Sequence, residues 1–371
     1  MWPLKRQFCV ILICAVAVGN IRAAEPELKD IVSRGFDYLA KAQNDKGQIS
    51  PRIGSGVTSL AVTAALRNGR KLDDPLVAKG FKALEAYVHP DGGIYGSDRV
   101  RNYETCVAIM CLAEANKIAG DKRYDKILKN AGDYVRGLQI GADGGVDKSD
   151  PKFGGVGYSG PERPDLSNTA YLVDALHSMG ATDDDPAIQR ALVFVSRCQN
   201  LKGKWNDTKF GPLVDDGGFY YVIPTANADP RDSDQYTANG GLRSSGSMTY
   251  SGFKSLIYAG LKKDDPRTAA AAKWIGANYS VTDNPGQGNA GLFYYYQLFG
   301  SALAASGMEK VATKSGEKDW KHDLIVELAK TQKPDGSWAN SNRQFMENDP
   351  SLCTAFALLA LSNCDDKPTG K

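Results

Sequence analysis

Pro164-Asp-Leu-Ser-Asn-Thr-Ala-Tyr-Leu-Val-Asp-Ala-Leu-His-Ser-Met-Gly180 is the stretch whose reading decides the fold. A turn residue and an Asp/Ser cap open it, a one-faced apolar helix fills it, and glycine ends it. Gln199-Asn-Leu-Lys-Gly203-Lys-Trp205 then closes a second helix with a glycine and an aromatic. This pair, a small-residue helix plus a helix ending in Gln-x-x-x-Gly-x-aromatic, recurs along the chain. Recurrence of that kind is the mark of a repeat architecture.

Working outward, helices are expected at 31–43 with 57–67, at 76–88 with 103–118, and at 127–138 with the 164–180 helix. Further along, 188–199 pairs with 247–261, 269–279 with 293–306, and 320–332 with 351–363. The first member of each pair carries Lys, Asp and Arg on one face. The second is almost entirely Ala, Leu, Val, Thr, Ser and Tyr, which implies burial on both sides. Two concentric layers satisfy both patterns. The expected fold is therefore all-α, an (α/α)6 toroid of six helical hairpin repeats over residues 25–364, with a polar tail at 365–371. The 206–246 connection is long for a compact body and is expected to be functional, partly covering a central cavity.

Composition narrows the function classes. A formal net charge of +2 over 371 residues, with both signs mixed, points to no nucleic-acid partner. It leaves membrane association open without predicting it. Lys5 and Arg6 precede the apolar run 8–18, and Ala23 and Ala24 follow, as in a secretory signal over 1–24. A secreted or periplasmic protein is expected. Cys106, Cys111, Cys198, Cys353 and Cys364 show no zinc-ribbon or redox spacing.

Gln199…Gly203…Trp205 and Gln332…Gly336…Trp338 resemble the QW repeats of squalene and oxidosqualene cyclases. Protein prenyltransferase β subunits carry the unit in degenerate form, and together these make up the prenyltransferase/squalene oxidase repeat group. The resemblance runs from Ile31 to Asn363 and implies the (α/α)6 toroid. His89, Gly93 and Tyr95 stand in the second repeat, and Gln139 with Asp143-Gly144-Gly145 in the third. His89 reads as structural.

The inner helices align on Thr58, Thr105, Thr169, Thr249 and Thr354, with Tyr296 in the fifth. Cyclases of this group with Asp-x-Asp-Asp-Thr-Ala protonate their substrate with the middle aspartate. The matching segment here is Asp165-Leu-Ser167-Asn168-Thr169-Ala170, with serine in the acid's place. The equivalent positions Gly56, Tyr103, Ser247, Tyr294 and Leu352 are not acids either. Protonating an alkene demands a preorganised carboxylic acid, so ordinary cyclase chemistry is not expected. The prenyltransferase zinc site needs an aspartate, a cysteine and a histidine. Only His89, His177 and His322 are present, Cys353 occupies the family's histidine position, and no metal or other cofactor is expected.

The polar and aromatic material on the inner helices then defines the candidate site. Asp165 and Glu104 read as a helix cap and a dipole partner, or as an acid and base working on a bound substrate. Asp215 and Asp216 read as turn residues, and Asp174 and His177 as a satisfied i, i+3 pair. Tyr103, Ser167, Asn168, Phe219, Ser247, Tyr250, Tyr294, Tyr295 and Tyr296 are the candidate ligand contacts, with core filling as the alternative for the aromatics. The leading expectation is a toroid that binds an apolar, isoprenoid-like ligand or a ring-shaped one such as a carbohydrate. The alternatives are an enzyme using Asp165 or Glu104 on a terpenoid or polysaccharide, and a protein-interaction scaffold.

Overall fold

In the computed structural model, residues 27–224 and 235–365 are described. The 1–24 signal, part of the long connection (with Asp229, Asp232 and Asp234) and the end of the tail fall outside them. The described helices are, in order, α1 Leu28–Ala42, α2 Gly56–Arg67, α3 Pro75–Glu85, α4 Arg101–Ala119, α5 Asp125–Gly137 and α6 Leu166–Ser178. There follow α7 Pro186–Arg197, the one-turn α8 Gly211–Val214, α9 Gly246–Tyr258, α10 Pro266–Ala277, α11 Leu292–Ser306, α12 Trp320–Thr331 and α13 Pro350–Leu361. Four of them begin at an Asp-Pro step. Asp74, Asp185, Asp265 and Asp349 each accept the N–H two residues on, and proline at N1 forgoes a donor that had no partner.

The inner layer is a closed ring. α2 packs on α4, α4 on α6, α6 on α9, α9 on α11, α11 on α13, and α13 back on α2. These are the helices buried nearly all round. In α13 every residue from Ser351 to Leu361 is buried. Outer helices α3, α5, α7 and α10 lie chiefly against the inner helix that precedes each, and α1 lies against α13. The helix pairs read from the sequence join each outer helix to the inner helix that follows, whereas packing ties all but α12 more strongly to the one before, and α12 lies on α13.

Two kinds of side chain fasten the layers, a glutamine in four repeats and a threonine in five. Gln43, Gln139, Gln199 and Gln332 each donate from Nε2 to a glycine carbonyl of the connection behind them. Each also donates to a first-turn carbonyl of the next outer helix, at Leu76, Ala187, Arg267 and Ile31 respectively. The Gln332–Ile31 bond (2.9 Å) joins the last repeat to the first. The glycines lie where positive φ is needed and contact is closest. Gly154 has φ +84°, and a Cβ there would stand 1.8 Å from the Arg190 carbonyl oxygen. Thr58, Thr105, Thr169, Thr249 and Thr354 each accept one backbone N–H, from Ile49, Ile94, Val156, Phe219 and Trp338. The threonine alignment is thus a physical one.

These bonds also correct the motif. Gln199 reaches the carbonyl of Gly217, not Gly203, and Phe219 takes the aromatic position. Residues 201–216, with α8, are an insertion, and Trp205 lies inside it under the Arg267 guanidinium at 5.1 Å. In the second repeat the working residues are Gly92 and Ile94 rather than Gly93 and Tyr95, and in the third Gly154 and Val156 rather than Gly144. His89 bonds the carbonyl of Tyr95 in its own turn and stacks on that ring at 4.0 Å, so the second repeat lacks the cross-repeat glutamine bond. A two-stranded hairpin, β1 Val311–Thr313 with β2 Gly316–Lys318, falls between α11 and α12, where no strand was expected.

Candidate functional site

The N-terminal ends of the inner helices share one face of the toroid with the outer-to-inner connections. Tyr103 on α4, Ser167 and Tyr171 on α6, and Tyr294 on α11 converge there. Tyr103 meets Tyr171 edge-on at 5.0 Å, and Tyr171 stacks on Tyr294 at 6.2 Å. Ser167 Oγ and Tyr294 Oη are 2.7 Å apart. Since α9 stands between α6 and α11 in the ring, these contacts cross the interior. At this level the expected hollow is filled by tyrosine side chains, and the site is a mouth above them. Tyr158 and Tyr221, from the connections, complete its wall. Tyr158 lies 6.3 Å from Tyr103, and Phe356 of α13 lies 5.8 Å from Tyr294. Burial raises the pKa of Tyr103, Tyr171, Tyr221 and Tyr294, so all four keep their protons through the neutral range and can donate.

The two candidate carboxylates do not form a pair. Asp165 caps α6, accepting Asn168 N at 2.8 Å and Asn168 Nδ2 at 2.9 Å. Burial pushes its pKa up to about 6, against the lowering effect of Asn168, the Tyr221 hydroxyl and Arg163. Glu104 turns toward the first repeat instead. Its Oε2 accepts Gly96 N (2.5 Å) and Ser55 Oγ (3.2 Å), while Oε1 is buried without a partner. Burial raises its pKa as well, opposed by the donors from Gly96 and Ser55. Each carboxylate is thus held by its own donors, Asp165 by Asn168 and Glu104 by Gly96 and Ser55.

The remaining candidates separate. Asn168 is buried and committed to Asp165. Ser247 is held by Asn284, which accepts its N–H at 2.9 Å. Tyr250, Phe219, Tyr295 and Tyr296 belong to the core rather than the mouth. Tyr250 packs on Tyr295 and Phe299, and Phe219 is fully buried behind Thr249. Tyr295 and Tyr296 donate to the carbonyls of Ser280 and Val281. The reason is helical geometry: successive residues point about 100° apart, so only Tyr294 of the three faces inward. Asp174 pairs with Lys254 at 2.8 Å instead of His177, which stacks on Tyr258 at 3.8 Å. Asp216 is a turn residue accepting Gly218 N, Ser244 Oγ and Trp274 Nε1. Among the described residues no three His, Cys, Asp or Glu side chains converge as a metal site.

The squalene-hopene cyclase C-terminal domain model matches residues 53–222. A squalene–hopene cyclase from Bradyrhizobium diazoefficiens is 28% identical over 136 residues, which are 36% of this chain and only 20% of that protein. The type II terpene cyclase MstE from Scytonema superposes with a TM-score of 0.52 at 12% identity, covering 91% of this chain and 98% of that one. The GH76A alpha-1,6-mannanase from Salegentibacter sp. HEL1_6 gives 0.60 at 10% identity, covering 91% and 100%.

The fold is an (α/α) toroid, similar to those of the type II terpene cyclase and the mannanase. In this toroid Ser167 stands two residues before the latch threonine, at the mouth, and spends its hydroxyl on Tyr294. Sequence reasoning counted Tyr171 and Tyr221 among the aromatics that could line a pocket, and missed Tyr158 and Glu347. Glu347 is fully buried, accepts Tyr294 N at 2.8 Å and Asn340 Nδ2 at 2.6 Å, and so caps α11 from the α12–α13 connection. Burial raises its pKa. Tyr158 sits in a glycine-rich connection with no periodicity to betray it. Glu347 lies three residues ahead of a proline-started helix, a position without any local signal.

Proposed function

We propose that this chain is an exported toroid that binds a ring-shaped, hydroxyl-bearing ligand at the tyrosine mouth, without ordinary cyclase or zinc prenyltransferase chemistry. The observation that carries the reading is the Ser167–Tyr294 bond at the position where a cyclase would hold its acid. A hydroxyl pair offers a ligand hydrogen bonds but no strong proton donor. The wall supports a sugar-like ring over a bare hydrocarbon chain, because it is made of tyrosines, each an apolar face with a polar tip. Solved toroids of this shape include a terpene cyclase and a mannanase, so the scaffold suits both ligand classes. Export rests on the 1–24 signal.

The experiment is calorimetric titration of the purified protein with manno-oligosaccharides and with farnesol. Saturable sugar binding that weakens at least tenfold in Tyr294→Ala supports the reading. Farnesol binding alone, or binding unaffected by that substitution, overturns it.

A second reading has Asp165 acting as acid or base on the bound sugar, and one observation favours it: its carboxyl, beside the wall residue Tyr221, titrates near neutrality, at about 6. Asp165→Asn then spares binding and abolishes turnover of the polysaccharide. Turnover surviving in that variant removes this reading and leaves the first intact.

A further inference from the structure

Away from the mouth, at the opposite ends of the inner helices, a cavity of about 250 Å³ opens between α9, α10 and α11. Phe253, Ile257, Leu261, Ala272, Ala305 and Met308 give it an apolar wall. Two features make this more than a packing gap. Thr268 lines it, is only 3% exposed, and its Oγ1 has no hydrogen-bond partner. A buried hydroxyl left unpaired is a cost that native structures rarely tolerate without a purpose. Thr268 does not bond back to its own helix, so a turn about χ1 can present the hydroxyl to an occupant. Lys262 and Lys263 then stand at the rim, both exposed, and neither holds an ion pair among the described residues. Of the nearby carboxylates, Asp264 is exposed on the same rim as Lys262, and the other two are otherwise placed. Asp265 is bound to Arg267 at 2.9 Å, and Asp183 closes against Gly260, whose φ of +85° keeps the turn tight.

We propose that this cavity is a second binding site, for a small amphiphilic anion whose apolar body enters the pocket. Its acidic head meets Lys262 and Lys263 at the rim and accepts the Thr268 hydroxyl. The volume lies just under the roughly 300–1,000 Å³ of pockets that take drug-sized molecules, so a medium-chain carboxylate is the right scale. The site is independent of the tyrosine mouth and lies on the other face of the ring.

The test uses decanoate as the probe, titrated calorimetrically into the full chain, with 1-decanol as its uncharged counterpart. Saturable one-site binding of decanoate is expected in the micromolar to low-millimolar range, and decanol should bind more weakly. Ala272→Phe, which fills the cavity, should weaken decanoate at least tenfold. The surface double variant Lys262→Glu with Lys263→Glu should weaken decanoate at least tenfold and leave decanol unchanged. Thr268→Val should weaken decanoate while leaving the free protein melting at or above the wild-type temperature. Tyr294→Ala should leave decanoate binding untouched. If Ala272→Phe does not fold, the double lysine variant decides. The proposal is overturned by absence of saturable binding at millimolar decanoate, or by equal binding of decanoate and decanol. Binding lost in Tyr294→Ala but kept in a folded Ala272→Phe would place the ligand at the mouth and overturn it equally.

Discussion

Asp165 shows what a single buried carboxyl costs the toroid. Its pKa rises from 3.8 to about 6 on folding because burial disfavours the charged form more than its donors favour it. The folded chain therefore holds that proton more tightly than the unfolded chain does. The contribution to stability is fully present below about pH 4 and is lost as pH rises through about 6. A displacement of two units corresponds to about 2–3 kcal/mol. Asp165→Asn cannot ionise, so the stability of the wild type relative to that variant should fall by about 2 kcal/mol between pH 4 and pH 7. Urea denaturation at the two pH values measures this, and a gap that does not move with pH contradicts the assignment. The sequence identified Asp165 as a cap, which is its structural role. It could not foresee the raised pKa, because the burial that causes it comes from residues distant in the chain and leaves no mark on the local pattern.

Glycine and threonine fix where elements meet in this fold. Gly154 and Gly120 give a controlled comparison, since both have positive φ. Around Gly120 an added Cβ would meet nothing within 4 Å, whereas at Gly154 it would meet a backbone carbonyl of α7 at 1.8 Å. Gly120→Ala should cost only the conformational penalty, about 1 kcal/mol. Gly154→Ala must in addition push α7 off the third connection and should cost well above that. Chemical denaturation of both variants checks the ordering, and equal losses would mean that the close approach carries no weight. The same contact explains where sequence reading slipped. All twelve long helices were legible from periodicity and stop signals. The glycine belonging to each glutamine was legible only where the connection is short, at Gly47 and Gly336. Insertions in the third and fourth connections displaced Gly154 and Gly217, and chance glycines at 144 and 203 stood nearer. Spacing alone cannot tell a glycine that touches the next helix from one that merely turns the chain.

A ring differs from an open stack of repeats in having no first or last member. In an open array the terminal units have one neighbour and fray, and a capping unit usually protects them. Here the α13–α2 contact, the α1–α13 contact and the Gln332–Ile31 bond replace a cap. Asn68 adds a bond from the end of α2 to the Leu358 carbonyl at 3.1 Å, and Gly35 of α1 lets Trp338 and Leu358 approach. The seam is thus built like any other junction, and its energetics should match. Gln43 and Gln332 are the fitting pair, because both are half-buried and each makes the same two bonds, at 3.0 and 2.9 Å for Gln43 and 2.9 Å twice for Gln332. Each substitution to alanine removes two hydrogen bonds from the junction and should cost about 1–3 kcal/mol. The two losses should agree within about 0.5 kcal/mol, with a single cooperative transition in both variants. If instead Gln332→Ala costs little, or splits unfolding into two steps while Gln43→Ala does not, then α1 closes the ring only loosely. The toroid would then behave in solution as an open stack with a weak join.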